Sequence, residues 1–433
     1  MKKFTATAFL STLLIGVLSY CHSFGQANRI VLTGKVIEKA TQEPLPYATV
    51  SIRGKSIGVV TNQLGEFTFN FSDQYLNDTL MISMMGYETY MCVIKNLEDR
   101  DRLFFQLAMK TIILNEIVIT DKELSPKKII EKAIRNIKLN YPQEPYVLDG
   151  FYRDFKKENE KYIALLEAAV SIYDKGYTSH DPKQKDYLKE EVYINEIRKS
   201  KAVNYKAKVY KDVNLLGEVM TTNDVRYVNH RALDVKRNKY ELEKYIYQDG
   251  QLVYVIKTDY PWLNRIFIDA QSFAILKIEM DARWEGAEKN EWKMNDSIMN
   301  RTTFIKKTLK FKMYEGKYFL EYMNYSWRIE GFKKGSDKIL FISDFYQELL
   351  VNSVISQNVR KPGPENRMST DKIVELQTKP YNENFWKTYN IIQESPLNKR
   401  IIRDLEEAEV LEVQFKKGGM QEGAKKTRQR KKN

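Results

Sequence analysis

The sequence predicts a mainly β chain, with an N-terminal antiparallel β-sandwich and then a curved antiparallel β-meander or half-barrel carrying a few helices. Two patterns support this. From Val31 to Ser83, short runs that alternate apolar and polar residues are separated by Gly, Pro, Asn and Asp, at the roughly eight-to-twelve-residue spacing of a small sandwich. From Tyr146 to about Val354 the runs lengthen and become rich in Tyr, Phe, Ile and Val, as in a larger sheet with one apolar face.

At the N-terminus, Lys2 and Lys3 precede an apolar run from Ala8 to Tyr20 and then the small residues Ser23 and Gly25. This predicts a secretory signal peptide over residues 1–25, cleaved near Gly25. The apolar run is shorter than the about 20 residues a spanning helix needs. A lipoprotein form through Cys21 is disfavoured, because Tyr20 stands where a small residue is required. Cleavage leaves Cys92, which reads as a small buried hydrophobe and permits no disulfide within one mature chain.

Residues 28–110 supply the sandwich, with strands expected at Val31–Ile37, Ala48–Ile52, Glu66–Phe71 and Thr79–Ser83. Its most distinctive residues are Gly34-Lys-Val-Ile-Glu, Glu43-Pro-Leu-Pro-Tyr-Ala-Thr-Val-Ser-Ile, Gly58, Thr61-Asn62 and Gly65-Glu66-Phe67. This stretch resembles the carboxypeptidase regulatory-like domain, an Ig/transthyretin-type sandwich that Gram-negative envelope proteins carry near their N-termini. Together with the signal sequence, the resemblance implies export to the periplasm or the periplasmic face of the outer membrane. It also implies a partner there, an envelope or outer-membrane protein met by the sandwich through edge-strand pairing.

Residues 111–144 form a connector. Leu114-Asn-Glu-Ile-Val-Ile-Thr120 is similar to the segment that follows this sandwich in TonB-dependent receptors of the glycan-uptake type. Those receptors continue into a plug and a barrel for which this chain has no room, and Ile117-Val118-Ile119 reads here as a last edge strand. Ser125 as N-cap and Pro126 at the first helical position then open a helix of about four turns. It carries Ile129, Ile130, Ala133, Ile134 and Ile137 on one face and stops at Tyr141-Pro142.

Residues 145–355 form the meander. Tyr245–Tyr247 pairs with Leu252–Ile256 across Asp249-Gly250, Arg265–Asp269 with Phe273–Met280, and Thr308–Tyr314 with Tyr318–Ile329. The second hairpin, Arg265 to Glu279, is similar to one in lipoprotein-carrier (LolA-like) half-barrels, which wrap a sheet around a helix and bind acyl chains on the concave side. The candidate apolar groove is accordingly Ala274, Leu276, Ile278, Met280, Phe319, Met323, Tyr325 and Trp327. The alternative, favoured because large apolar faces are usually cores, is that these side chains fill an ordinary β-core. Glu321 is expected on the face of Phe319 and Met323, either as an acid among apolar neighbours or as half of an ion pair.

Residues 356–412 form an arm. A polar loop over Arg360–Glu383 leads to Trp386 and Tyr389, which are expected to dock on the β-domain, and to one amphipathic helix from Leu397 to Glu412. The formal net charge of +13 is concentrated in the last residues, 413–433, where Lys425, Lys426, Arg428, Arg430, Lys431 and Lys432 stand among glycines. The tail reads as disordered, either solvated or tethered to a lipid or other anionic membrane surface. The folded part is nearly balanced in charge, and nucleic acid is excluded as a partner by the signal sequence.

Motifs for chemistry are absent from the sequence. After processing only His180 and His230 remain, and there is no zinc-peptidase motif, nucleophile elbow, P-loop or dinucleotide fingerprint. No catalytic residue, metal or cofactor is predicted. The expected role is non-catalytic binding or scaffolding, with an apolar or lipid-like ligand in the meander. The alternatives are a glycan or peptide hydrolase using a carboxylate pair and a structural accessory of an outer-membrane complex.

Overall fold

Seven short strands build the N-terminal sandwich: β1 (Arg29–Glu38), β2 (Thr49–Ile52), β3 (Gly58–Val60), β4 (Glu66–Ser72), β5 (Thr79–Ser83), β6 (Tyr90–Val93) and β7 (Leu103–Leu107). They pair in two sheets, β4-β1-β7 and β3-β2-β5-β6. The computed structural model describes residues 28–110, 124–177, 188–200, 215–227, 231–248, 250–258, 263–284, 291–336, 338–368, 374, 377, 379–392, 396–407 and 409–418. The expected signal sequence, the expected edge strand at Ile117–Ile119, His180 and His230, and the tail from 419 onward lie outside these residues.

Alternation drives the sandwich. Phe67, Phe69 and Phe71 point inward from β4 and meet Leu32 and Val36 of β1 and Val50 and Ile52 of β2. One pairing departs from the expected antiparallel pattern, since β7 runs parallel to β1. Gly34 permits that approach, because a Cβ there would stand 2.5 Å from the Leu103 carbonyl oxygen.

The connector helix divides into α1 (Pro126–Arg135) and α2 (Ile137–Asn140). Ser125 occupies the N-cap position without a capping side-chain bond. The expected four-turn helix breaks at Asn136 (φ −85°, ψ 0°). There Asn136 and Asn140 each donate a side-chain hydrogen bond of 3.0 Å to the Ser272 carbonyl, tying the break to a turn of the large sheet. Ile129, Ile130, Ala133 and Ile137 are buried, as their spacing requires.

The remaining strands are β8 (Tyr146–Glu158), β9 (Lys161–Asp174), β10 (Glu191–Lys199), β11 (Glu241–Gln248), β12 (Gln251–Thr258), β13 (Leu263–Asp269), β14 (Ile275–Arg283), β15 (Glu291–Lys293), β16 (Ile298–Tyr314), β17 (Lys317–Lys333) and β18 (Ile339–Ile355). They form one open sheet of order β10-β9-β8-β18-β17-β16-β14-β13-β12-β11, with β15 on β16. The three hairpins read from the sequence all form. A further join makes the sheet continuous: β18 returns to pair with β8, from Ser343↔Glu158 to Ile355↔Val147.

The two faces of this sheet carry different cover. Against one pack α1, α2 and α3 (Leu215–Thr221), enclosing the largest apolar core. Against the other packs the sandwich, and Phe151, Ala169, Tyr322 and Leu350 of the sheet belong to the sandwich's own core. The arm seals that junction from α4 (Glu383–Thr388): Trp386 meets Phe151 edge-on at 6.5 Å, Tyr389 donates to the Gly150 carbonyl at 2.7 Å, and the Asn390 amide pairs with the Asn70 backbone at 2.8 and 2.9 Å.

The single C-terminal helix expected from Leu397 to Glu412 is two helices, α5 (Pro396–Leu405) and α6 (411–418). Gln414 donates back to the Leu405 carbonyl at 2.8 Å, which holds the chain reversal. Lys416 and Lys417 are ion-paired with Glu412 and Glu409, so the helix extends past the point where composition alone starts the tail. Among the described residues no helix is long and apolar enough to cross a membrane.

Candidate functional site

Seven of the eight candidate groove residues are buried, and they are distributed over the molecule. Ala274, Leu276, Ile278, Phe319 and Met323 lie in the core beneath the helices. Trp327 belongs to a separate cluster with Ile329, Phe341 and Phe345, and Tyr325 is the half-buried side chain between the two clusters. Met280 is buried too. A cavity of about 20 Å³ touches Met323 beside Tyr146, Tyr177 and Glu190, and Leu276 borders an opening of about 230 Å³ with Thr49, Met81, Lys310 and Phe311.

Glu321 is not on the face of Phe319 and Met323. A bulge where Lys310 and Phe311 face Tyr322 and Leu320 shifts the alternation, and Glu321 turns to the sandwich. It is ion-paired with Lys310 at 3.0 Å and accepts from the Thr49 hydroxyl at 2.9 Å; Lys310 also donates to Thr49 Oγ1 at 2.5 Å. Sheet and sandwich thus share a buried polar contact beside their apolar one.

An opening of about 600 Å³ lies on the sandwich side of the sheet. Its sandwich wall is Tyr47 and Gln63. The loop motifs fix Tyr47: its N–H donates to the Thr61 carbonyl at 3.0 Å, the Thr61 hydroxyl bridges Leu45 O and Ala48 N, and Asn62 Oδ1 accepts from Leu64 and Glu66 N–H. Tyr47 is held at φ 61°, a left-handed conformation costly for an aromatic residue. Its ring stacks on Tyr322.

Tyr322 begins a cluster of phenols around one acid. Tyr322 and Tyr346 donate to Glu348 Oε2 at 3.2 and 3.0 Å, and Arg153 reaches Glu348 Oε1 at 3.3 Å. Burial raises the Glu348 carboxyl above its usual range, with Arg153 opposing the rise. Next along the wall, Phe155 stacks on Tyr346 at 4.5 Å and meets Tyr162 edge-on at 5.5 Å.

The sheet wall is mixed, with Leu263, Phe304 and Tyr346 among polar side chains that β14, β16, β17 and β18 present at alternate positions. Thr308, Asn324 and Ser326 sit at its centre and Arg265, Glu279, Asp281, Lys306, Arg328 and Asp344 around them. Met280 and Trp327 also border the opening, at register positions whose side chains belong to the opposite face. The charges are matched. Arg328 grips Asp344 through two bonds of 2.6 and 3.1 Å, Arg265 grips Glu243, Lys277 holds Glu279, and Arg283 and Lys306 flank Asp281 at 3.1 and 3.6 Å.

A second polar cluster lies buried on the helix side. Arg226 binds Asp174 through bonds of 2.8 and 3.0 Å and donates to the Tyr177 carbonyl at 2.8 Å. The Tyr227 hydroxyl donates to Glu190, whose carboxyl is pushed up to about 7 by burial and by the Asp174 charge. Nearby, Lys307 is ion-paired with Asp224 and donates to the Thr222 carbonyl at 3.2 Å. Among the described residues no three His, Cys, Asp or Glu side chains are grouped to hold a metal ion.

Residues 32–119 match the CarboxypepD_reg-like domain family, in agreement with the reading made from Gly34–Phe67. No curated protein matches the chain. Among solved structures, a DUF1329 family protein from Desulfovibrio piger is 10% identical with a TM-score of 0.24, covering 55% of this chain and 96% of its own. A LolA superfamily protein from Nitrosomonas europaea is 12% identical with a TM-score of 0.19, covering 56% and 97%. A domain described as outer membrane lipoprotein-sorting, from Vibrio parahaemolyticus, is 10% identical with a TM-score of 0.23, covering 54% and 94%.

Proposed function

We propose that this chain is a non-catalytic binding protein of the cell envelope whose binding site is the crevice between sandwich and sheet. One observation carries the reading: the crevice of about 600 Å³ is bounded by both modules and by side chains that packing and hydrogen bonds hold in place, within the roughly 300–1,000 Å³ range of ligand sites. The export reading rests on the N-terminal residues and on the envelope setting implied by the regulatory-like resemblance. The basic tail would add attraction to an anionic surface. A ligand held by Ala274, Leu276 and their neighbours has less support, since all of them but Tyr325 are buried and the opening that Leu276 borders, about 230 Å³, is smaller than the crevice. Hydrolysis by paired carboxylates also has less support, because Glu279, Asp281 and Asp344 are each engaged by a base.

A partner protein on the sandwich is the second reading. It is favoured by exposed Tyr90, Met91, Phe104 and Met109 on and beside β6 and β7, the terminal strands of their sheets. The crevice reading is tested by native mass spectrometry of wild-type and Ser326→Trp protein purified from the source envelope. A polar adduct carried by the wild type and lost in the variant is the expected result. A lipid adduct carried equally by both would overturn it.

A further inference from the structure

Resting on the crevice being the binding site, we infer that its ligand is a neutral oligosaccharide. Three properties of the lining point to this class and away from the others that fit such a volume.

The first is the charge arrangement. Lys157, Arg265, Lys306 and Arg328 face the crevice, and each already holds a carboxylate. A site for an anion keeps its cations uncommitted, as where a guanidinium fork closes on a phosphate or carboxylate ligand. Here the forks are closed on the protein's own acids. Paired groups retain outward lone pairs and N–H donors, which suit hydroxyl groups that both donate and accept.

The second is the state of the main chain. The crevice floor consists of β14, β16, β17 and β18, all interior strands with a neighbour on each side. Their N–H and C=O groups are engaged in ladders, so an extended peptide finds no edge to pair with. Recognition here falls to side chains: the amide of Asn324, the hydroxyls of Thr308 and Ser326, and the guanidinium of Arg328 with its partner Asp344.

The third is the set of aromatic side chains adjoining those groups. Tyr346, Phe155 and Tyr162 form a row held by stacking and edge contacts, and Tyr47 of the sandwich lines the same opening, fixed in a backbone conformation that its neighbours must enforce. Rigid aromatic side chains offer apolar faces at low entropic cost. Aromatic side chains adjoining polar groups whose charges are paired match a sugar ring, which presents C–H groups on its faces and hydroxyls around its rim. A purely apolar ligand would leave the polar wall without partners.

The test applies the full mature chain to a printed array of neutral hexose, pentose and N-acetylhexosamine oligosaccharides, with anionic uronate oligosaccharides and extended peptides beside them, followed by calorimetric titration of each hit. Neutral oligosaccharides should bind. Ser326→Trp, which fills the crevice from an exposed-side position, should weaken that binding at least tenfold, and Phe155→Leu should do so with the melting temperature monitored to confirm folding. Binding confined to peptides or uronates, and lost in Ser326→Trp, would overturn the ligand class and leave the crevice as a site. No binding on the array, or oligosaccharide binding indifferent to Ser326→Trp, would overturn the inference itself.

Discussion

Tyr47 of the sandwich stacks on Tyr322 of the large sheet, with ring centroids 5.1 Å apart and an interplanar angle of 30°. The pair lies where the apolar core of the sandwich continues into the sheet and where the crevice begins. Aromatic pairs contribute about 0.5–1.5 kcal/mol beyond their area. A double-mutant cycle with Tyr47→Ala and Tyr322→Ala, followed by urea unfolding, should therefore give a coupling of about that size. Additive effects would mean that the modules are not joined through these rings.

The Lys310–Glu321 pair is predicted to be costly to break and inexpensive to replace. Lys310→Met alone leaves a buried carboxylate bonded only to Thr49 and should destabilise by about 3–5 kcal/mol. The double variant Lys310→Met/Glu321→Leu removes both charges and should recover most of that loss. Equal destabilisation in the single and double variants would contradict the buried-pair account.

Glu190 gives the fold a pH dependence of definite sign. Its carboxyl titrates near 7 in the fold against a reference of 4.5, so the native state holds a proton that the unfolded chain releases earlier. Its contribution is most favourable below about pH 4.5 and is lost as pH rises toward 7. Asp174 of β9, Arg226, Lys189 and Tyr227 face it, with Tyr146 of β8 near Asp174. The melting temperature of Glu190→Gln relative to wild type should rise between pH 5 and pH 8. A difference independent of pH would show that Glu190 ionises normally.

Leu276→Asp is predicted to unfold the sheet rather than merely empty a groove. Leu276 is 5% exposed in the largest apolar core cluster, at the edge of an opening of about 230 Å³, and a carboxylate buried there should cost several kcal/mol. Circular dichroism and proteolysis would read the loss directly. A variant that melts like wild type would show that this face opens to solvent or ligand.

The sandwich and the three hairpins are legible because their determinants are local: alternation over a few residues, and turns such as Glu315-Gly316, where both residues take positive φ. The β8–β18 pairing is not legible, since it joins residues nearly two hundred positions apart and no local pattern encodes such a register. Strict alternation puts Glu321 on the wrong face because it is the extra residue of a bulge opposite Lys310/Phe311. The crevice was hidden for another reason. Thr308, Asn324, Ser326 and Arg328 occupy the polar positions of amphipathic strands, and the sequence of a strand facing water does not differ from one facing a ligand. Tyr47 carried the available signal, as an aromatic residue after Pro46 in a loop held by Thr61 and Asn62.

Sandwich and sheet share one core and form one body with the crevice between them. Differential scanning calorimetry of the mature chain tests it most directly. The shared core and the Tyr47–Tyr322 and Lys310–Glu321 contacts predict a single transition whose calorimetric and van't Hoff enthalpies agree. Two resolved transitions, one for each module, would contradict it.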